Sequence, residues 1–148
     1  MKTRFIPSCL SSLVILGILL VSAVVTSVGF SGVTAILVMY GIEEQGGDPG
    51  APGLMFVALL MLCGFLNILT AIVMYSARED HQKTFSATRS MLLFVVMYVP
   101  LHLAGWFSIS LPEVLELVFT LLLFASSVAL FHAVAQSGIH LYEFFQKS

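Results

Sequence analysis

Three polar residues that could do chemistry lie in or beside long apolar stretches of this sequence. His102 stands within an uncharged stretch, Glu116 follows at the start of the next one, and Asn67 lies in the middle of an earlier one. A histidine beside a carboxylate can relay a proton or bind a cation, and a polar group at membrane depth is often functional. These three residues are therefore candidates for a ligand site or a proton relay.

Each of the three also has a structural interpretation. His102 can donate to a backbone carbonyl, and Glu116 can lie near a helix N-terminus, where a carboxylate is favourable. An amide such as that of Asn67 more often joins helices by a hydrogen bond, worth about 1 kcal/mol in a membrane. We favour the structural interpretation for each of the three residues.

The sequence contains no pattern that is typical of a metal or cofactor site. Haem held by two histidines needs them at similar depth on facing helices, and His102 and His132 differ in depth by several residues. The methionines are scattered, which is more typical of packing than of a copper site. Cys9 and Cys63 form no C-x-x-C pair and differ too much in depth for a disulfide. We expect no cofactor and no metal.

The stretches that carry these residues are too apolar for a water-soluble protein. The 148 residues are 59% hydrophobic and 9% charged, with a mean hydropathy of +1.04, whereas a soluble domain is about 25% charged. Four stretches are at least as long as the roughly 20 residues that a helix needs to cross the hydrocarbon layer. A spanning segment must satisfy its backbone internally, and none of the four alternates like a barrel strand. The sequence therefore predicts a single all-α domain with spans at about 11–40, 53–76, 91–110 and 113–137.

The ends of the first and last spans leave alternatives open. The first span is longer than a bilayer requires, so the helix tilts, projects from the membrane or bends at Gly29 and Gly32. Its basic start also resembles a signal peptide, but the apolar run is about twice as long as a signal's apolar core, which favours a retained span. After Ser137 the last helix either continues or gives way to a segment in the membrane interface.

The basic residues predict the orientation. With four spans and an internal N-terminus, all six fall on the cytoplasmic side and none on the other, as the positive-inside rule requires. They are Lys2, Arg4, Arg78, Lys83, Arg89 and Lys147. The prediction is an integral, multi-pass, antiparallel four-helix bundle with both termini cytoplasmic. Pro100 predicts a kink in the third helix, because proline leaves the carbonyl of Val96 without its hydrogen bond.

Two spans carry small residues at every fourth position, a spacing that keeps them on one face of a helix. Helices in lipid associate where small residues allow close contact. Both faces are predicted to be packing surfaces, most simply against each other and alternatively against another subunit. The N-terminal stripe is Ala23, Ser27, Ser31 and Ala35, and the C-terminal stripe is Ala125, Ala129, Ala133 and Ser137.

These features favour a small non-catalytic protein that acts as an accessory or scaffold subunit of a larger membrane complex. One alternative is a small transporter, channel or lipid-binding protein that uses His102, Glu116 and Asn67. A third interpretation is a membrane enzyme acting on a lipid or a quinone. The expected partners are membrane lipids and other membrane subunits or a second copy, and no basic patch suits nucleic acid.

Overall fold

The computed structural model describes residues 5–45, 50–77, 86–106 and 113–148, and within these ranges the secondary structure is entirely helical. The helices are α1 (Phe5–Gln45), α2 (Ala51–Ser76), α3 (Ala87–Trp106) and α4 (Glu113–Lys147). The prediction of an all-α protein is confirmed.

Three of these helices are long and apolar enough to span a membrane. The qualifying stretches are Cys9–Tyr40 in α1, Gly53–Ser76 in α2 and Glu113–Gln146 in α4. In α3 the described apolar stretch, Ala87–Leu103, is shorter, and residues 107–110 of the predicted third span lie outside the described ranges. Length and composition together indicate that the protein associates with a membrane.

Helix starts follow the local sequence. Pro52 lies in the first turn of α2, where the missing N–H of proline removes no helical hydrogen bond. At the start of α3, the backbone N–H of Arg89 donates to the Ser86 hydroxyl at 3.3 Å, which is an N-cap contact. The first turn of α4 carries Glu113 and Glu116, whose charges suit the positive end of the helix.

The first helix is continuous over 41 residues. Helical structure runs through both Gly29 and Gly32, so neither glycine interrupts it. At about 1.5 Å per residue, α1 is about 60 Å long, which is roughly twice the thickness of the hydrocarbon layer.

The fourth helix continues beyond residue 137, where the predicted span ends, and reaches Lys147, so of the two alternatives the helix continues. Its last turns pack on α1, where Ile139 is buried in one cluster with Ile15. A Cβ atom placed on Gly138 would lie only 2.9 Å from the Cγ2 atom of Ile18, so the two helices approach closely there. This packing explains why α4 stays helical past the serine and glycine that mark a possible end in the sequence.

The apolar core lies where α1, α2 and α4 meet. Helix α3 packs mainly on α4 and contacts α1 at a few positions. The core cluster consists of Ile15, Leu19, Ala23, Ala71, Met74, Phe131, Ala135 and Ile139.

Candidate functional site

An amide joins three helices at the centre of the molecule. Asn67 of α2 is fully buried. Its Nδ2 atom donates to the Ser27 hydroxyl of α1 at 2.9 Å and to the Ser127 hydroxyl of α4 at 3.4 Å. The Ser27 hydroxyl in turn donates to the carbonyl of Ala23 at 2.6 Å. The Cys63 thiol is hydrogen-bonded to Ser127, so one polar cluster connects α1, α2 and α4.

Beside the apolar core, the interior of the described part holds buried polar side chains, and none of them is Asp, Glu, Lys or Arg. Three of these buried polar side chains have an atom without a hydrogen-bond partner among the described residues, namely Thr26 Oγ1, Ser31 Oγ and Asn67 Oδ1. Such a group costs about 1–3 kcal/mol when buried. The buried polar side chains are Ser22, Thr26, Ser27, Ser31, Thr34, Asn67, Ser90, Ser126, Ser127 and Gln136.

A column of rings on α3 forms the contact with α1. The ring centroids of Phe94 and Tyr98 are 5.0 Å apart, and those of Tyr98 and His102 are 4.3 Å apart. Tyr98 also contacts the ring of Phe30 at 5.3 Å and shares a hydrogen bond of 2.8 Å with Thr34. Sequence reasoning missed Tyr98 as the link between these helices, although the four-residue spacing of the three ring residues places them on one face.

The structure does not join His102 to Glu116. The Nε2 atom of His102 is buried and has no hydrogen-bond partner among the described residues. Glu116 is exposed in the first turn of α4, and its backbone carbonyl accepts from the Thr120 hydroxyl at 2.9 Å. Asn67 is bonded to serines rather than to either of these residues. The three candidates therefore do not form one site in the described part of the chain.

A second contact that sequence reasoning missed links α3 to α4. The Ser90 hydroxyl lies 2.7 Å from Nδ1 of His132, and Ser90 is buried. A serine bonded to a histidine is the first part of a nucleophile–base arrangement, which needs a third group to orient the base. Among the described residues, no Asp or Glu side chain is buried. Because 42 positions separate the two residues, no local pattern predicts their contact.

The two small-residue stripes differ in burial. Every member of the N-terminal stripe is at most 8% exposed. In the C-terminal stripe, Ala133 is buried, Ala129 is half-buried, and both Ala125 and Ser137 are exposed. Helix α4 instead turns the adjacent face, which carries the fully buried Phe131, into the core. The simplest prediction is that the two stripes pack against each other, and it does not account for the exposure of Ala125 and Ser137.

The described residues contain no group of three or more His, Cys, Asp or Glu side chains that could hold a metal ion. The absence of a cofactor stays a prediction.

No family model matches the chain, and no curated protein or solved structure matches it either. Its function must therefore be inferred from its own residues.

Proposed function

We propose that the protein is a multi-pass membrane protein with four antiparallel spans that acts as a non-catalytic scaffold or accessory subunit of a larger membrane complex. The observation that carries the proposal is the uncharged interior. In the described part, the buried polar side chains are hydroxyls and amides, and the central ones bond one helix to another. Groups of this kind hold helices together in lipid.

The distribution of polar and apolar side chains supports a lipid surrounding. Large aliphatic residues point outward on several helices, with Leu54, Met61 and Val114 each more than 70% exposed. Soluble monomers rarely expose apolar patches larger than a few hundred Å². An apolar exterior around a hydroxyl-rich interior suits a protein whose solvent is the hydrocarbon layer.

Contacts between the first two helices support the antiparallel arrangement. A Cβ atom on Gly32 would lie 3.9 Å from the ring of Phe56, whereas the earlier Ser27 bonds the later Asn67. The residue that comes later in α1 therefore contacts the residue that comes earlier in α2, which is the order of contacts between antiparallel helices.

The orientation and the third span belong to the same proposal. The basic residues Arg89, at the start of α3, and Lys147, at the end of α4, lie at the helix ends that are assigned to the cytoplasmic side. Pro100 lies within α3, where the predicted kink would be centred.

A scaffold is favoured over a proton or cation path by the placement of the ionisable residues. Such a path needs several ionisable groups within the membrane that face one another. His102 and Glu116 are not joined, and Glu116 is exposed near the end of its helix. Exposure of Ala125 and Ser137 leaves part of the C-terminal stripe available for close packing against a helix of another subunit.

Native mass spectrometry tests the proposal. The chain is extracted from its own membrane directly into lipid nanodiscs or a mild detergent, and the masses of the released assemblies are measured. We expect other membrane proteins to co-purify in a fixed ratio. Recovery of the chain alone, or only as a homo-oligomer, under both extraction conditions would contradict the accessory-subunit proposal.

A matched pair of variants tests whether the C-terminal stripe carries the contact. Ala125→Leu places a larger side chain on the exposed stripe, and Ala58→Leu makes the same change on an exposed position of α2. We expect Ala125→Leu to release the partner and Ala58→Leu to retain it, with both variants unfolding at the wild-type temperature. Equal recovery of the partner with both variants would contradict a role for the stripe.

A further inference from the structure

An apolar crevice opens between α1 and α3, with α4 at its base. Its volume is about 260 Å³. Gly29 and Phe30 line it on α1, Tyr98 on α3, and Leu130 and Val134 on α4. The crevice exists because α3 contacts α1 at few positions and because Gly29 carries no side chain to fill the gap; a Cβ atom there would meet nothing within 4 Å.

One polar side chain in the wall of the crevice has no partner. Thr26 is only 5% exposed, and its hydroxyl oxygen forms no hydrogen bond with any described residue. The neighbouring Ser27 shows the usual alternative, because its hydroxyl donates to the backbone carbonyl one turn earlier. Buried hydroxyls are generally hydrogen-bonded, so an unpaired one beside a cavity indicates that its partner is a bound molecule.

The shape and lining of the crevice restrict what that molecule can be. The volume is slightly below the roughly 300–1,000 Å³ of pockets that enclose drug-sized molecules, so it fits one ring rather than a whole lipid. Phe30, Phe94 and Tyr98 supply aromatic walls suited to a planar ring. The exposed Val25 and Val33 leave the mouth open toward the surroundings, where a hydrocarbon tail can extend.

The position of Thr26 restricts the ligand further. It lies near the middle of the apolar stretch Cys9–Tyr40, which in the four-span arrangement proposed above places its hydroxyl deep in the hydrocarbon layer. Phospholipids and sterols carry their oxygens at the membrane surface. A ring oxygen near the centre of the bilayer is instead the chemistry of a lipid-soluble quinone.

We propose that this crevice binds the ring of a lipid-soluble quinone, with the Thr26 hydroxyl donating a hydrogen bond to a ring carbonyl. The aromatic side chains contact the ring, and the tail leaves between α1 and α3. The site binds the quinone without oxidising or reducing it. This proposal rests on the membrane placement proposed above, but quinone binding at this site does not need a partner subunit.

Photolabelling of the purified chain in lipid nanodiscs tests the site. The probe is decylubiquinone with a diazirine in its tail, and the control probe carries the same diazirine on a plain alkyl chain. Labelled residues are identified by mass spectrometry. We expect the quinone probe to label residues at the mouth of the crevice, around Val25 and Val33, because its diazirine is in the tail, and we expect unlabelled decylubiquinone to compete. Equal labelling by the alkyl probe, or labelling that decylubiquinone does not reduce, would overturn the proposal.

Two variants and a control sharpen the test. Thr26→Val keeps the shape but removes the hydroxyl, so the competing concentration of decylubiquinone should rise about fivefold to tenfold, as expected for one hydrogen bond. Without quinone, the same variant should unfold at a higher temperature, because an unpaired buried hydroxyl has been removed. Unchanged competition, or a lower unfolding temperature, would show that the hydroxyl has a structural partner and would overturn the proposal.

The second variant, Gly29→Leu, fills the crevice and should abolish competed labelling. Its control, Gly17→Leu, lies on the same helix at a position where an added Cβ atom also meets nothing within 4 Å, and it should label like the wild type. Retained competition in Gly29→Leu would overturn the site even if Thr26→Val behaved as expected. The photolabelling uses the purified chain without other subunits. A negative labelling result would therefore contradict the quinone site without bearing on whether the chain has a partner subunit.

Discussion

The N-terminal and C-terminal stripes have the same four-residue spacing but different surroundings. The N-terminal stripe is buried among α1's neighbours, and its Ser27 accepts a hydrogen bond from the amide of Asn67. In the C-terminal stripe, Ala125 and Ser137 remain exposed, because α4 turns the face that carries Phe131 into the core. The spacing of small residues thus identifies a helix face that can pack closely. Whether another helix of this chain packs on that face depends on the large side chains beside it, because they determine which face of the helix turns toward the core.

The strongest test of this comparison makes one substitution on both stripes. Ser27→Leu forces a larger side chain into a contact where the serine is 2% exposed. Overpacking and loss of the hydrogen bond from Asn67 should lower the free energy of unfolding by about 3 kcal/mol. Ser137→Leu, at an exposed position, should change it by less than about 0.5 kcal/mol. Unfolding of both variants in detergent micelles gives the two values, and equal values would refute the difference between the stripes.

The hydrogen bond from the Asn67 amide to Ser27 accounts for part of the difference in stability between the two stripes. A double-mutant cycle measures the energy of this interaction. Asn67→Ala removes two hydrogen bonds and should cost about 1.2 kcal/mol, since such bonds in membrane proteins average about 0.6 kcal/mol each. Combined with Ser27→Ala, it should show a coupling of about 0.6 kcal/mol. Thr70→Ala is the control, because the Thr70 hydroxyl donates to the carbonyl of Leu66 in its own helix. Coupling of similar size between Thr70 and Ser27 would contradict the assignment.

Helices α4 and α1 also approach each other closely at Gly138, which belongs to neither stripe. Alanine substitutions at Gly138 and, as a control, at Gly17 test this contact. Gly138→Ala adds a Cβ atom 2.9 Å from the Cγ2 atom of Ile18, whereas Gly17→Ala adds one in open space. We expect Gly138→Ala to lower the free energy of unfolding by about 1 kcal/mol. Gly17→Ala should leave it unchanged or raise it, because alanine is the better helix former. The same unfolding assay applies, and an unchanged Gly138→Ala variant would show that Ile18 can move aside.

The smallest effect is expected at His102, which lies on neither stripe. His102→Ala loses the contact with the ring of Tyr98, which is worth about 0.5 kcal/mol. Under the scaffold proposal, the ratio of co-purifying subunits and the activity of their complex should remain as in the wild type. A correctly assembled complex without activity would favour the relay or ligand-site interpretation over the scaffold.

Much of the fold could be predicted from the sequence, because the relevant physics is local. Long apolar runs in lipid must be helical, and α1, α2 and α4 each contain a run that is long enough to cross a membrane. The end of α4 was harder to predict. Ser137 and Gly138 are compatible with either outcome, and the burial of Ile139 in the core cluster that also contains Ile15 explains why the helix continues.

The candidate site was less predictable than the fold. His102, Glu116 and Asn67 stand out in the sequence because polar residues are rare there, but rarity does not show which of them meet. Asn67 bonds two serines on other helices, and His102 packs against Tyr98. The crevice beside Thr26 had no signal in the sequence at all, since it is formed by three helices together.

Composition and segment length alone determined that this protein is helical and built for an apolar surrounding, because a helix satisfies its backbone within its own segment. The tertiary structure decided which stripe is buried, which polar groups pair and where a crevice remains. Those outcomes depend on the rotation and register of one helix against another. They are set by contacts between residues far apart in the chain, such as Ser90 with His132, which no local pattern records.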